Sequence, residues 1–204
     1  MTKLDLKKTY RALFNPPKDS FAEIVVPKMA FVKADGVGDP NTADEYKRAV
    51  EWLYGVSYAM KFAAKDRLGR DYVVPPLEAL WWADDPGAFV RREKDRWRWT
   101  VMIMAPDFIG EADFDEGVAK TAAKRGQRPT SLRFECYDEG RSLQILHIGS
   151  YDDEGSTLKR LHEEAMPSLG ATFNGPHHEI YLSDPRKTEP AKLKTILRQP
   201  IRKR

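Results

Sequence analysis

The chain has 204 residues, of which 41% are hydrophobic and 32% are charged, so a substantial core can form under a well-solvated surface. The formal net charge of +3 is too small to indicate nucleic-acid binding, and a single cysteine, Cys136, excludes an internal disulfide framework. The first residues lack the apolar core of a signal peptide, and no apolar run approaches the ~20 residues that span a bilayer. We therefore expect a cytoplasmic protein with no membrane partner.

The first half of the chain begins with an arm that docks through Tyr10, Leu13 and Phe14. A strand with Pro27 at an edge or a bulge follows, and then a long amphipathic helix that Asn41 or Thr42 caps and Gly69 ends. Two strands complete this half, separated by a turn at Asp84-Asp85-Pro86-Gly87. The predicted arm, strand, helix and two strands cover 1–20, 21–35, 43–67, 72–83 and 96–104.

The second half is predicted to contain a helix, a β-hairpin, a second helix and two more strands. Gly126 ends the first helix, and Asp138-Glu139-Gly140 forms the tight turn of the hairpin. In chain order these elements cover 114–125, 132–137, 143–151, 157–169, 177–182 and 191–201.

The stretch Gly175–Pro190 contains a glutamate in the middle of a strand, where Glu is uncommon. Side chains alternate between the two faces of a strand, so His178, Ile180 and Leu182 share one face, which we assign to the helix-covered core. Glu179 and Tyr181 then lie on the opposite face. Two interpretations are open: an exposed edge strand, or a carboxylate that lines a cleft.

An internal repeat favours the cleft. Two modules, at about 21–106 and 131–201 of a single domain covering 21–204, share the order strand, helix, strand, strand. Aligning their third elements places Glu78 on Glu179 and Leu80 on Tyr181, so both carboxylates are expected on the face away from the helices. If the modules pair about a pseudo-twofold axis, both carboxylates face one shared cleft. The predicted fold is α+β with antiparallel sheet around this cleft.

Several motifs resemble the GyrI-like small-molecule-binding superfamily, in particular its stand-alone two-module members that include cyclopropanoid hydrolases. The resemblance covers most of residues 20–201. It implies binding of lipophilic, often cationic, aromatic compounds, and in some members hydrolysis of the strained cyclopropane of DNA-alkylating natural products, which protects the cell. The matching motifs are Pro76–Trp82, Trp99–Phe108, Tyr137–Gly140, His147–Glu154 and His178–Arg186.

The resemblance also implies site residues. The family's cleft glutamate corresponds to Glu179, and its aromatic lining corresponds to Trp82, Trp99, Tyr137 and Tyr181. Flat aromatic faces suit a planar drug, and a ring with a carboxylate suits a cationic one.

Opening a cyclopropane fused to a dienone needs a base beside the attacking water and a donor beside the carbonyl oxygen. We assign Glu179 as the base, with Tyr137, Tyr181 or His147 as the donor. Glu78 is expected to orient the water or to balance a cationic ligand. The histidines do not show the spacing of a metal site, and no cofactor motif is evident, so neither a metal nor a cofactor is expected.

Three functions remain open at this point. The first is hydrolytic detoxification, the second is a non-catalytic binder or sequestering sensor, and the third is an inhibitor that contacts a topoisomerase. The chain shows no helix-turn-helix arm, and its basic C-terminus at 198–204 is interpreted as a solvated end rather than a nucleic-acid site. The sequence indicates neither the natural ligand nor the oligomeric state.

Overall fold

The computed structural model describes residues 3–85 and 93–204, so Pro86 and Gly87 of the predicted turn lie outside the described residues. The chain forms two compact units. The first unit combines the N-terminal residues to Thr9 with Met29–Tyr137, and the second combines Tyr10–Lys28 with Asp138–Arg204. None of the described helices is long and apolar enough to cross a membrane.

The strands of the described residues are all paired in antiparallel fashion. Their bounds are β1 Ala22–Val26, β2 Met29–Val37, β3 Leu77–Trp82, β4 Arg98–Ala105, β5 Arg133–Tyr137, β6 Gly140–Ile148, β7 Ala171–Phe173, β8 His177–Tyr181 and β9 Lys194–Lys203.

Helices connect these strands and begin the chain. Their bounds are α1 Leu6–Thr9, α2 Arg11–Phe14, α3 Asp44–Leu68, α4 Glu111–Arg125, α5 Glu154–Arg160 and α6 Met166–Ser168, with a π-helical turn at Leu161–Ala165 and 3₁₀ turns at Lys94–Arg96, Tyr151–Asp153 and Pro190–Lys192. The α+β class with antiparallel sheet is therefore confirmed.

In the first unit, β2 lies between β4 and β5, and β3 pairs with β4. Helix α3 covers one face of this sheet, where the Tyr46 ring stacks 6.0 Å from Trp81 and meets Trp99 edge-on at 5.1 Å. The Trp99 ring lies directly over Gly36, since a Cβ there would clash with Trp99 Cζ2. Gly69, with a φ of 63° in the left-handed region, ends α3 as predicted.

In the second unit, β6 lies between β1 and β9, and β9 also pairs with β8 and β7. The two modules therefore repeat their strand pairing as well as their element order. In the first, β4 pairs with β2 and β3, and in the second, β9 pairs with β6 and β8. The arm residues Leu13 and Phe14 are buried, as predicted, while Tyr10 is half-buried.

The single strand predicted over 21–35 is wrong. It breaks at Pro27 into β1, which belongs to the second unit, and β2, which belongs to the first. Proline has no N–H to donate to a sheet ladder, and here it stands where the chain passes from one unit to the other.

The predicted hairpin of 132–137 with 143–151 is also wrong. Strand β5 pairs with β2, whereas β6 begins at Gly140 and pairs with β1 and β9. Seven consecutive residue pairs with β9 and five with β1 give β6 more antiparallel pairing than the short β5 offers. The side-chain cap predicted for α3 is absent, because Ala43 occupies its N-cap position.

Candidate functional site

Three adjacent strands of the second unit bring sequence-predicted residues together. His147 on β6 pairs with Thr195 on β9, which pairs with Tyr181 on β8. Directly paired residues share a face of the sheet, as do residues two apart on one strand. Glu179, which pairs with Leu197, therefore lies on the same face in the next row.

The helical segment of the second unit covers this same face. Leu143 shares a face with His147 on β6, and it packs in one buried cluster with Leu161 and Met166 of the helical segment. The prediction that Glu179 lies on the face away from its helix is therefore wrong. Ile180, predicted to face the helix, pairs with Ile196 on the opposite face.

The cause is the alignment of the two modules. In the first unit the Gly38 N–H, just after β2, donates to the Trp97 carbonyl at 2.8 Å. In the second unit the Gly149 N–H, just after β6, donates to the Leu193 carbonyl at 3.0 Å. These two hydrogen bonds mark the same point in the two modules.

Counting along the strands from these hydrogen bonds makes Trp81 equivalent to Tyr181 and Glu78 equivalent to His178. The alignment of Glu78 with Glu179 is thus displaced by one residue, and a one-residue slip moves a side chain to the other face of a sheet. Glu78 does lie on the face away from α3, but Glu179 does not lie on the corresponding face of its own sheet.

Glu179 is the centre of a polar cluster on the helix-covered face. The Tyr181 hydroxyl donates to its Oε2 at 2.8 Å, and His177 Nε2 lies 3.6 Å from its Oε1. The Glu179 side chain is 15% exposed, so the cluster is largely desolvated and still accessible. The ring of Tyr151 meets that of Tyr181 nearly perpendicularly at 5.8 Å.

The sequence analysis missed two further members of this cluster, Tyr151 and Glu154. Both lie where the chain enters α5, at the end of the predicted strand 143–151 and before the predicted helix 157–169. Glu154 is 4% exposed, and burial, followed by the nearby charge of Glu179, raises its pKa to about 10. Burial and the charges of Glu179 and Glu154 raise the pKa of Tyr151 to about 12. Both groups thus carry a proton at neutral pH.

The second unit also contains His147, His162 and His177. His147 Nε2 lies 3.2 Å from the Ser150 carbonyl, which only accepts, so this nitrogen carries the proton. Burial and the proximity of His177 lower the pKa of His162 to about 4, which keeps this imidazole neutral. Within residues 3–85 and 93–204, the His, Cys, Asp and Glu side chains do not form a cluster able to hold a metal ion.

The opposite face of the same sheet carries a buried ionic network. Glu139 accepts hydrogen bonds from His178 Nδ1 at 2.9 Å and from Arg198 Nη1 at 3.1 Å. Burial acts to raise the pKa of Glu139, but the charges and hydrogen bonds of His178 and Arg198 lower it to about 2. Arg198 also donates to the Leu13 carbonyl, so the network fixes the arm to the sheet.

The remaining predicted site residues lie in the first unit. Glu78 is 1% exposed, and Trp82 is half-buried on the same face of β3. Trp99 lies on the other face, fully buried beneath α3, which gives it a packing role. Tyr137 ends β5, with Lys33 Nζ 5.1 Å from its ring centroid.

Comparison with solved structures shows two close matches from Listeria innocua. An uncharacterized conserved protein is 35% identical, with a TM-score of 0.89, and the match covers 98% of this chain and 100% of that one. A protein described as a hydrolase is 34% identical with a TM-score of 0.87 over the same shares of the two chains. No curated protein sequence is significantly similar.

The fold extends to more distant proteins. The C-terminal domain of EcmrR is 11% identical with a TM-score of 0.57, over 91% of this chain and 98% of that domain, which shows a shared fold alone. The family model described as the GyrI-like small molecule binding domain matches residues 22–202. That match begins with β1 and ends one residue before the end of β9, and the chain therefore belongs to the GyrI-like small-molecule-binding family.

Proposed function

We propose that the protein binds flat lipophilic aromatic compounds and hydrolyses those that carry a strained cyclopropane, as a detoxifying enzyme. The observation that carries this proposal is the Glu179 carboxylate, which accepts the Tyr181 hydroxyl beside the protonated carboxyl of Glu154. Two Listeria innocua proteins described as hydrolases, 34% and 35% identical over 98% of this chain, support a hydrolytic rather than a purely binding role.

The proposed reaction begins with a water molecule that Glu179 deprotonates. The water oxygen bonds to a cyclopropane carbon, the strained C–C bond breaks, and its electron pair enters the dienone, which becomes a phenol. The hydrogen bond from Tyr181 holds the Glu179 carboxylate in place, so a lone pair on Oε1 stays available for the water. His177, 3.6 Å from Oε1, borders the same side of the carboxylate.

Aromatic side chains would hold the ligand. Tyr151 and Tyr181 present perpendicular rings next to Glu179, which offer aromatic surface to a flat ligand. Trp82, Glu78 and Tyr137 of the first unit stay proposed ligand contacts on the family resemblance, with Tyr137 also a proposed proton donor. Trp99 is left out, since it is fully buried under α3.

The test is mass spectrometry of a cyclopropane-bearing indole alkylator incubated with the wild-type protein and with Glu179→Gln. A product one water heavier, formed by wild type and lost in the variant, is the expected result. Glu164→Gln is the matched control, because Glu164 is an exposed carboxylate of the same unit. Turnover that persists in Glu179→Gln would refute Glu179 as the base.

The second candidate is a binder that sequesters or senses the same compounds without changing them. The family description favours it, since that description specifies small-molecule binding and no reaction. An alkylator that quenches tryptophan fluorescence but is recovered unchanged would assign the protein to this class.

A further inference from the structure

We propose that Glu154 is a second catalytic carboxyl, which donates its proton to the carbonyl oxygen of the ligand. The proposal rests on the hydrolysis proposed above and assigns to Glu154 the donor role that the sequence left open among Tyr137, Tyr181 and His147.

Unsatisfied buried polar atoms are the first observation. Glu154 Oε1 has no hydrogen-bond partner among the described residues, although the residue is 4% exposed. Thr195, 1% exposed, approaches Glu154 closely enough to act on its pKa as a hydrogen-bond partner, but its hydroxyl also has no hydrogen bond of normal geometry among the described residues. Buried polar atoms in proteins nearly always have partners, so this pair is suited to the polar atom of a ligand.

The second observation is the division of charge between two carboxyls. Glu154 at the start of α5 and Glu179 on β8 lie close enough that the charge of Glu179 helps to keep Glu154 protonated. A protonated carboxyl beside a charged one can act as the acid of a reaction while its neighbour acts as the base. Glu179 is therefore the base and Glu154 the acid.

The third observation concerns the competing donors of the second unit. The Tyr181 hydroxyl already donates to Glu179, and the His147 Nε2 proton points to the Ser150 carbonyl. Using either group as the acid would break a hydrogen bond that the structure has formed. Glu154 offers a proton without that loss.

The step balances. Glu179 takes one proton from water, the hydroxyl oxygen bonds to the cyclopropane carbon, and the electron pair of the broken C–C bond moves through the ring to the carbonyl oxygen. Glu154 gives its proton to that oxygen, which leaves a phenol. The proton gained by Glu179 then returns to Glu154 directly or through solvent, so the net reaction consumes one water.

The first experiment measures turnover of the cyclopropane-bearing alkylator by Glu154→Gln, Glu154→Asp and the control Glu164→Gln. Gln keeps the shape but has no acidic proton, so turnover is expected to fall roughly 10²- to 10⁴-fold, with part of it restored by Asp. Retained quenching of tryptophan fluorescence by the ligand shows that Glu154→Gln is folded. Turnover by Glu154→Gln within about threefold of wild type overturns the proposal.

The second experiment does not depend on turnover. A dimethylcyclohexadienone has the same conjugated ketone without the strained ring, and its infrared carbonyl band reports a hydrogen bond at the oxygen. The band is expected at a lower frequency in the wild-type complex than in the Glu154→Ala complex, and equal frequencies in the two complexes overturn the proposal. If wild type produces no hydrolysis product, the hydrolytic function fails, and the carbonyl band alone then decides whether Glu154 donates to the ligand.

Discussion

Replacing Glu154 by Gln is expected to make the protein more stable at neutral pH and to change how its stability depends on pH. The pKa of Glu154 rises from 4.5 to about 10 on folding. Between these values the folded chain holds a proton that the unfolded chain releases, so wild-type stability falls as pH rises through this window. At pH 7 the interval of 2.5 units corresponds to a destabilisation of about 3 kcal/mol, which Gln removes.

The assay is urea unfolding of wild type and Glu154→Gln at several pH values from 5 to 8. The free energy of unfolding of the variant minus that of wild type should grow by about 1.4 kcal/mol per pH unit, because only wild type carries the displaced titration. Taking this difference cancels the other titrating groups. Glu164→Gln should parallel wild type, since its side chain is exposed. Parallel curves for Glu154→Gln would show that Glu154 is ionised in the folded protein.

Three further predictions concern stability. Glu139→Gln leaves Arg198, 3% exposed, without its counter-charge and should cost about 3–5 kcal/mol in urea unfolding. Glu23→Gln, which breaks an exposed pair with Arg141, should cost far less, and equal costs would contradict the network. Gly36→Ala should lower stability by about 1–3 kcal/mol, measured as a lowered Tm, because its Cβ meets the Trp99 ring; an unchanged Tm would be inconsistent with that contact. Because the pKa of His162 is lowered on folding, the free energy of unfolding should fall as pH drops from 6.5 towards 4. His162→Gln should lose this acid sensitivity when Tm is measured across that pH range. An unchanged decrease of Tm at low pH in the variant would exclude His162 as its source.

Elements set by local pattern were predictable. The long helix α3 differs from its predicted span by one residue at each end, because its apolar period and the glycine after it act within a few turns. The division of 21–35 was not predictable in the same way. Its halves are both good strand sequences, and their membership of different units depends on strand partners more than 60 residues away.

The module alignment shows why the face of Glu179 was wrong while its strand was right. The match of Glu78 with Glu179 was made on residue identity, and such a match does not reveal an alignment error of one position. The sheets are related instead by the hydrogen bonds of Gly38 and Gly149, and those displace the match by one residue. Because the side-chain period of a strand is two, an error of one residue reverses every face assignment that follows from it.

Glu154 was beyond the reach of the sequence for a different reason. An acidic run before a helix normally serves the solvated first turn, and nothing local distinguishes the buried Glu154 from the exposed Asp152 and Asp153. Burial follows from how α5 lies over the sheet, beside Glu179 and Thr195. A protein that keeps a carboxyl there, at about 3 kcal/mol and with one oxygen unsatisfied, gains no stability from it. Residues that break packing and hydrogen-bonding rules at such a cost in stability are expected at functional sites. The stability that Glu154→Gln should restore is therefore itself evidence that Glu154 has a functional role.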